Sequence, residues 1–423
     1  MSKNIFIWNN SAVTSSILKK LSISQYVDNI YYANSRIIEH NNKIILLEVD
    51  GSRLLNDLTS KKIDYIFSNS EANKNKFIDY SLRNGLNAFG ARYYDTKLEK
   101  SKVNSKSLMK KYGINTPNYV VLDDQSQIKD ALLKIGMPCV IKADGPARGL
   151  SVVVIDNEID FVRIAEKYLS GFWGVASQKI IVEEYIEGTE ISIPLILDGK
   201  TLKILNFVKD YKRKNNSFLS ANTGGMGAIA PFNLEQKYLI EIENLIDKLS
   251  ILLQSESIFY KGFMTLNITI SNDEVFLFEI NTRLGDSEGQ TILNLLDNDL
   301  IELFDAMHYQ KLDDLKLFFK QGCSISVNVI NNSYPNFENF EIARIEKKSL
   351  DDISYDDIDV FFYKNVLNQK EYYEQGHDRF VSLVSFGRDI NTARNNIYSK
   401  LEKINGDNIY YRNDIGLDLL NIN

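Results

Sequence analysis

Apolar positions along the first hundred residues follow two alternating periods. Short continuous runs at residues 4–8, 43–49 and 64–68 have the length of buried parallel strands. Between them, residues 11–21 and 74–83 repeat apolar positions at helical spacing. That alternation predicts an open α/β layer. A helix is predicted at 101–112, ended by Gly113 with Pro117 beyond it. The runs then become denser, at 119–122, 138–143, 151–155, 179–185, 190–197 and 201–209, with one helix at 125–135. Strands in such quick succession predict an α+β unit. A helix at 235–254 leads to strands at 263–270 and 274–281, joined by the turn Ser271-Asn272-Asp273. Helical spacing runs from Gly289 to Tyr309, and short strands resume at 323–330 and 379–386 with a helix at 391–403. The acidic segment 346–359 reads as a solvated loop. Two polar breaks stand out, 144–149 and 212–227. The second is rich in Asn, Ser and Gly and is long for a plain connection, which marks it for binding.

A chain of 423 residues exceeds one core and divides into two to four domains. Its 44% hydrophobic and 25% charged residues are those of a soluble globular protein. No apolar run is long enough to span a bilayer, and the chain opens on a strand pattern, so the expected location is cytoplasmic, with no membrane partner. Cys139 and Cys323 sit in apolar runs and read as reduced core residues. The net charge of −7 argues against a nucleic-acid partner, while a locally basic pocket for small anions remains open to it. His40, His308 and His377 are scattered without ligand spacing. Chemistry therefore falls to carboxylates, lysines, arginines and backbone amides.

Four segments carry that chemistry. In 275–290, a strand ends in Glu279-Ile280-Asn281, and period two puts Glu279 and Asn281 on one face. Two oxygen ligands so spaced suit magnesium, which takes one or two protein oxygens beside phosphate and water. Arg283 follows and suits a carboxylate or phosphate. In 138–155, Lys142 ends a strand before a loop with Gly145 and Gly149, then Ser151. Glycines admit phosphate oxygens to the backbone and the lysine adds charge. In 179–193, a strand runs into Glu183-Glu184-Tyr185-Ile186 and resumes at Glu190, a segment able to meet a purine and a ribose. In 209–231, Lys209, Lys212 and Arg213 precede Asn222-Thr223-Gly224-Gly225-Met226-Gly227, whose amides suit an anion or acyl phosphate.

The order of these motifs resembles the phosphoribosylamine–glycine ligase family of ATP-grasp enzymes. It is carried by LEKSK with Lys102, VIKADG, VEEYIEG, KDYKR, NTGGMGA, FEINTRLGD and a closing RNDIG at 412–416. The resemblance implies a Rossmann-like N-terminal domain (1–100), an ATP-grasp domain (101–322) with a mobile lid at about 118–188, and a small C-terminal α+β domain (323–423). It implies that Lys102 and Lys142 hold ATP phosphates, with the loop of Gly145, Gly149 and Ser151 beside them. Glu184 to Ile186 would meet adenine, with Glu183 beside them in the nucleotide site, and Glu190 would meet the ribose. Glu279 and Asn281 would bind magnesium or manganese, and Arg283, Lys212 and Gly225 would serve the reacting groups. The implied reaction joins a carboxylate, from glycine or another amino acid, to an amine through an acyl phosphate, in a monomer or small homo-oligomer. The sequence departs from the family at the sugar-phosphate cradle. A glycine-rich turn becomes Ile7-Trp8-Asn9-Asn10-Ser11-Ala12, two further segments become Ala33-Asn34-Ser35 and 69–73, and a glycine-loop lysine is lost near Arg148. The first expectation is therefore an amine other than phosphoribosylamine. The alternatives are an authentic phosphoribosylamine–glycine ligase and a non-catalytic nucleotide-binding homologue.

Overall fold

A computed structural model describes residues 2–9, 11–33, 42–47, 54–70, 76–145, 150–336, 340–354, 358–364 and 366–420. Among the described residues the strands form four sheets. The first is parallel, in the order Ile44–Leu46, Val27–Tyr32, Lys3–Trp8, Tyr65–Ser68, Ala88–Phe89. Ile5, Phe6 and Ile7 are fully buried, as a parallel strand covered on both faces requires. Helices Ala12–Ser22 and Lys76–Arg83 make the connections. The strand Val27–Tyr32 was not among the predicted ones. Asp28 and Asn29 interrupt its apolar run, and Asn29 is held by its Nδ2 donating to Asn4 Oδ1 at 3.0 Å.

A four-stranded antiparallel sheet, Tyr119–Leu122, Ile180–Glu184, Cys139–Ala143, Val152–Ile155, has its own core of Leu122, Ile128, Ile141, Phe161 and Val182. The predicted helix over 125–135 begins as a 3-10 turn, Gln125–Gln127, and becomes α-helical only at Ile128–Ile135.

The third sheet has ten strands. Its path runs Glu274–Asn281, Lys261–Ser271, Thr189–Asp198, Val208–Asp210, Gly227–Ala230, Cys323–Asn331, Arg379–Gly387, Asp359–Phe362. The predicted single strand over 201–209 is two, Leu202–Ile204 and Val208–Asp210, both paired with Thr189–Asp198. The helix Gln236–Ser255 buries Ile242, Leu245, Leu249 and Leu252 on one face, at the i, i+3, i+4 spacing its sequence carries. Asn272 and Asp273 both take positive φ, 48° and 66°, forming the two-residue turn between Lys261–Ser271 and Glu274–Asn281. A small fourth sheet joins Leu367–Asn368, Tyr372–Gln375, Ala343–Glu346 and Gly406–Asp407.

The solvated loop expected at 346–359 is mostly not one. Its residues Lys347–Ser354 form a helix that buries Leu350 and Ile353. Two apolar residues in an acidic stretch are too few to register as a period, yet they are enough to pin one turn onto the sheet. The helical run from 289 to 309 breaks into Glu288–Leu295 and Leu300–Tyr309, with Asp299 capping the second. Cys139 and Cys323 are buried free thiols, each pushed up to about 12 by burial. Among the described residues no helix is long and apolar enough to cross a membrane.

Candidate functional site

A cleft of about 250 Å³ opens where the small antiparallel sheet faces the ten-stranded one. Its floor is the strand Glu274–Asn281. The register against Lys261–Ser271 slips between Asn267 and Ile268, so Phe278 is an extra, unpaired residue. Such a bulge re-aims side chains. Here it lets Phe278, Glu279 and Asn281 all line the cleft. Period two accounts for Glu279 and Asn281; nothing in the residue pattern revealed Phe278.

Four cations surround Glu279. Burial opposes its ionisation, but Lys102, Lys212, Lys142 and Arg283 together hold its carboxyl below the usual range. Lys102 is pushed down by burial, with Glu279 opposing that shift, and its Nζ donates to the Gly145 carbonyl at 3.0 Å. Arg283 Nε donates to Glu99 Oε1 at 3.0 Å, and Glu99 Oε2 accepts from the Thr282 amide and hydroxyl at 3.0 and 2.9 Å. Glu99 thus fixes the segment after the strand. Lys212 is raised despite burial by Asp210, Glu190, Glu279 and Glu288.

Several predicted residues do not reach the cleft. Glu183 lies beneath it, fully buried, with Lys142 Nζ on Oε2 at 2.5 Å and Lys106 Nζ on Oε1 at 3.1 Å. Burial raises its carboxyl, yet Lys106 and Lys142 overcome this and hold it low. Lys106, absent from the predicted set, also donates to Thr116 Oγ1 at 2.6 Å. Its signal was weak, one lysine among many on a helix. The Glu184 carboxylate turns to Asn118, accepting from its amide at 2.8 Å and its Nδ2 at 3.0 Å. The Gly145 amide donates to the Ala176 carbonyl at 3.0 Å and is not presented to a phosphate. Ser151 is fully buried. The amides of Gly224 and Gly225 are likewise taken, by the Tyr334 hydroxyl at 2.8 Å and Thr223 Oγ1 at 3.1 Å. Gly225 is glycine for another reason. Its φ is +112°, and a Cβ would stand 2.7 Å from Ser287 Oγ. Gly149 and Arg148 lie outside the described residues, as do Asn10, Asn34, Ser35 and 71–73.

Lys102, Lys142, Tyr185, Ile186, Glu190, Lys212, Glu279, Asn281 and Arg283 do line one cleft. Val140, Val152 and Val154 give it an apolar wall. Val140 lies two residues from Lys142 on the same strand, so period two would have found it. From the C-terminal region come Tyr363 and Arg379. Arg379 Nη1 donates to the Gly224 carbonyl, Nη2 to Asp286 Oδ2 at 3.4 Å, and the guanidinium lies 4.2 Å from the Tyr363 ring centre. A residue 155 positions away from its partner leaves no local sequence signal.

The donor set fits a nucleotide with its metal. Glu279 offers an ionised carboxylate and Asn281 an amide oxygen from adjacent positions on one face. Among the described residues no group of three or more His, Cys, Asp or Glu is arranged around a metal. A closed protein cage is thus lacking there, and two protein oxygens completed by phosphate oxygens is the arrangement magnesium favours.

Residues 100–289 match the family model described as phosphoribosylglycinamide synthetase, ATP-grasp (A) domain. A phosphoribosylamine–glycine ligase of Clostridium acetobutylicum is 32% identical over 339 residues, 78% of this chain and 79% of that one. One from Caldanaerobacter subterraneus is 30% identical, covering 95% of this chain and 96% of the other. The crystal structure of phosphoribosylamine–glycine ligase from Thermotoga maritima shares the fold, with a TM-score of 0.79 at 24% identity over 97% of this chain and 99% of that one. The chain is an ATP-grasp ligase forming a carbon–nitrogen bond, and it belongs to the phosphoribosylamine–glycine ligase family.

Proposed function

We propose that this chain joins glycine to phosphoribosylamine at the expense of ATP. This replaces the expectation of a different amine. That expectation rested on the lost glycine turn after the first strand, and the backbone there speaks against it. Asn9 holds φ at +112°, in the region that favours glycine. Its Nδ2 donates to the Asn69 carbonyl at 2.8 Å, and Asn69 in turn brackets Leu284 through both its amide and its carbonyl, at 2.9 and 3.0 Å. Asn9 and Asn69, two of the positions that differ from the family, therefore hold the wall of the site. The relatives at 30 and 32% identity carry that activity in their names.

The observation that carries the proposal is the ring of Lys102, Lys142, Lys212 and Arg283 about Glu279. ATP supplies the phosphoryl group. A magnesium or manganese ion, held by Glu279 and Asn281, would neutralise phosphate oxygens when bound. A carboxylate oxygen of glycine attacks the γ-phosphorus, ADP leaves, and an acyl phosphate forms. The amine then attacks the acyl carbon, phosphate leaves, and the amine's proton passes to water. Lys102 and Lys142 neutralise the phosphate chain, and Arg283 and Lys212 orient the carboxylate. Tyr185, Ile186 and the valine wall accept the base, and Glu190 the ribose. Both steps depend on positioning and charge neutralisation more than on a proton relay. The small antiparallel sheet, 119–184, serves as the lid that excludes water. The test is ADP release from ATP with glycine and phosphoribosylamine. Turnover on the order of 10 per second is expected; ADP release only with another amine would sink the proposal.

A further inference from the structure

We propose that Arg412 is a positioning residue of the nucleotide site and acts through Arg213, an assignment that rests on the placement of base and ribose at Tyr185 and Glu190 above. The segment 208–213 has two sides. Alternation along it sends Asp210 and Lys212 into the cleft. The alternate residues Lys209 and Tyr211 are held from the C-terminal region. Asp418 accepts from the Lys209 ammonium and, at 2.6 Å, from the Tyr211 hydroxyl, and the Gly416 amide donates to that hydroxyl at 3.0 Å. Arg412 completes the grip. Its Nε and Nη2 fork onto Asp414 at 2.8 and 2.6 Å, and its guanidinium lies 5.3 Å from the Tyr211 ring centre. Its Nη1 donates to the Arg213 carbonyl at 3.1 Å.

Arg412 is 6% exposed and is not among the residues lining the cleft, so it acts through its partners. Pairing with Asp414 uses two of its five donors and would by itself be a local structural contact. The bond from Nη1 instead reaches 199 residues back along the chain. On the other side of Arg213, the Lys212 carbonyl accepts from the Thr223 amide at 2.9 Å and from its hydroxyl at 2.7 Å. With the carbonyls on both sides of its Cα fixed, Arg213 has little freedom to swing. Its side chain enters the cleft, where Nη2 donates to the Tyr185 hydroxyl at 3.1 Å and stands 3.9 Å from Glu190 Oε1. Arg213 thus clasps together the two residues placed at base and ribose, and Arg412 sets the direction of that clasp. An ammonium in place of the guanidinium keeps the charge but cannot both fork onto Asp414 and reach the Arg213 carbonyl.

The test is a double-mutant cycle read as MgADP affinity by titration calorimetry on the full chain, with melting temperatures measured alongside. Arg412→Lys is expected to weaken MgADP binding on the order of tenfold, and Arg213→Met by a similar factor. If Arg412 acts through Arg213, the double variant binds MgADP within about twofold of Arg213→Met alone. A purely structural Arg412 gives a different pattern: a lower melting temperature with MgADP affinity within about twofold of wild type, or a loss that multiplies with that of Arg213→Met. Either result overturns the proposal, as does an Arg213→Met variant that binds MgADP as the wild type does. If Arg412→Lys does not fold, Asp414→Asn carries the same comparisons, since it removes the carboxylate that fixes the guanidinium and leaves the arginine in place. A wild type that binds no MgADP overturns the nucleotide placement and this assignment with it, whereas wild-type binding with unaltered variants overturns the Arg412 assignment alone.

Discussion

Glu279 lines the cleft and Glu183 lies buried beneath it, and lysines surround both, yet their oxygens are in opposite states. Each oxygen of Glu183 holds a lysine, Lys106 on one and Lys142 on the other, in a fully buried cluster. Glu279 feels four cations, and among the described residues no hydrogen bond to its carboxylate is seen. The first carboxylate is neutralised within the protein by two direct ion pairs. The second is complete only with something added. Nearby charge alone does not mark a binding residue; a carboxylate that faces the cleft with no direct ion pair among the described residues does.

The comparison can be broken by substitution. Glu279→Ala should abolish ADP formation, by about a thousandfold or more (roughly 4 kcal/mol in the barrier), while the denaturation midpoint barely moves. A large loss of stability instead would place Glu279 in the same class as Glu183. Glu183→Ala should do the reverse, costing about 3–5 kcal/mol of stability because two buried lysines lose their partner; urea unfolding measures it. Gly225→Ala tests the loop between the two halves of the site. Its φ and the Ser287 contact predict a cost of about 1–3 kcal/mol, read as a lower melting temperature with activity falling alongside. The smallest effect belongs to Asn9→Gly. If Asn9 merely occupies a glycine conformation, the change in stability is within about 1 kcal/mol and turnover survives. A loss of turnover comparable to Glu279→Ala would instead give the Asn9 side chain a direct part in substrate binding.

How much of this was legible beforehand depends on the distance over which each feature is built. The Glu279–Asn281 pair follows from the two-residue period of a strand, and the alternating layer at the start from apolar run lengths. The strand Val27–Tyr32 escaped because the exposed Asp28 and the half-buried Asn29, held by Asn4 on the neighbouring strand, interrupt its apolar run. Phe278 escaped because a bulge is a property of two strands, not one. Glu184 and Gly225 were read as ligand contacts from motif position, but their polar groups had nearer partners in Asn118 and Thr223. Arg379 and Asp286 meet across 93 residues, and no local pattern reports such a contact.

The ten-stranded sheet passes through residue 323 without interruption, because Gly227–Ala230 pairs with Cys323–Asn331 along Gly227↔Val327 to Ala230↔Ser324. A shortened protein ending before that strand would leave the backbone of Gly227–Ala230 unsatisfied along one side, a raw edge open to other chains. It would also release the Gly224 carbonyl from the guanidinium that pins it. The last hundred residues are thus built into the reaction chamber, and any attempt to graft them onto a relative must carry both sides of that seam together.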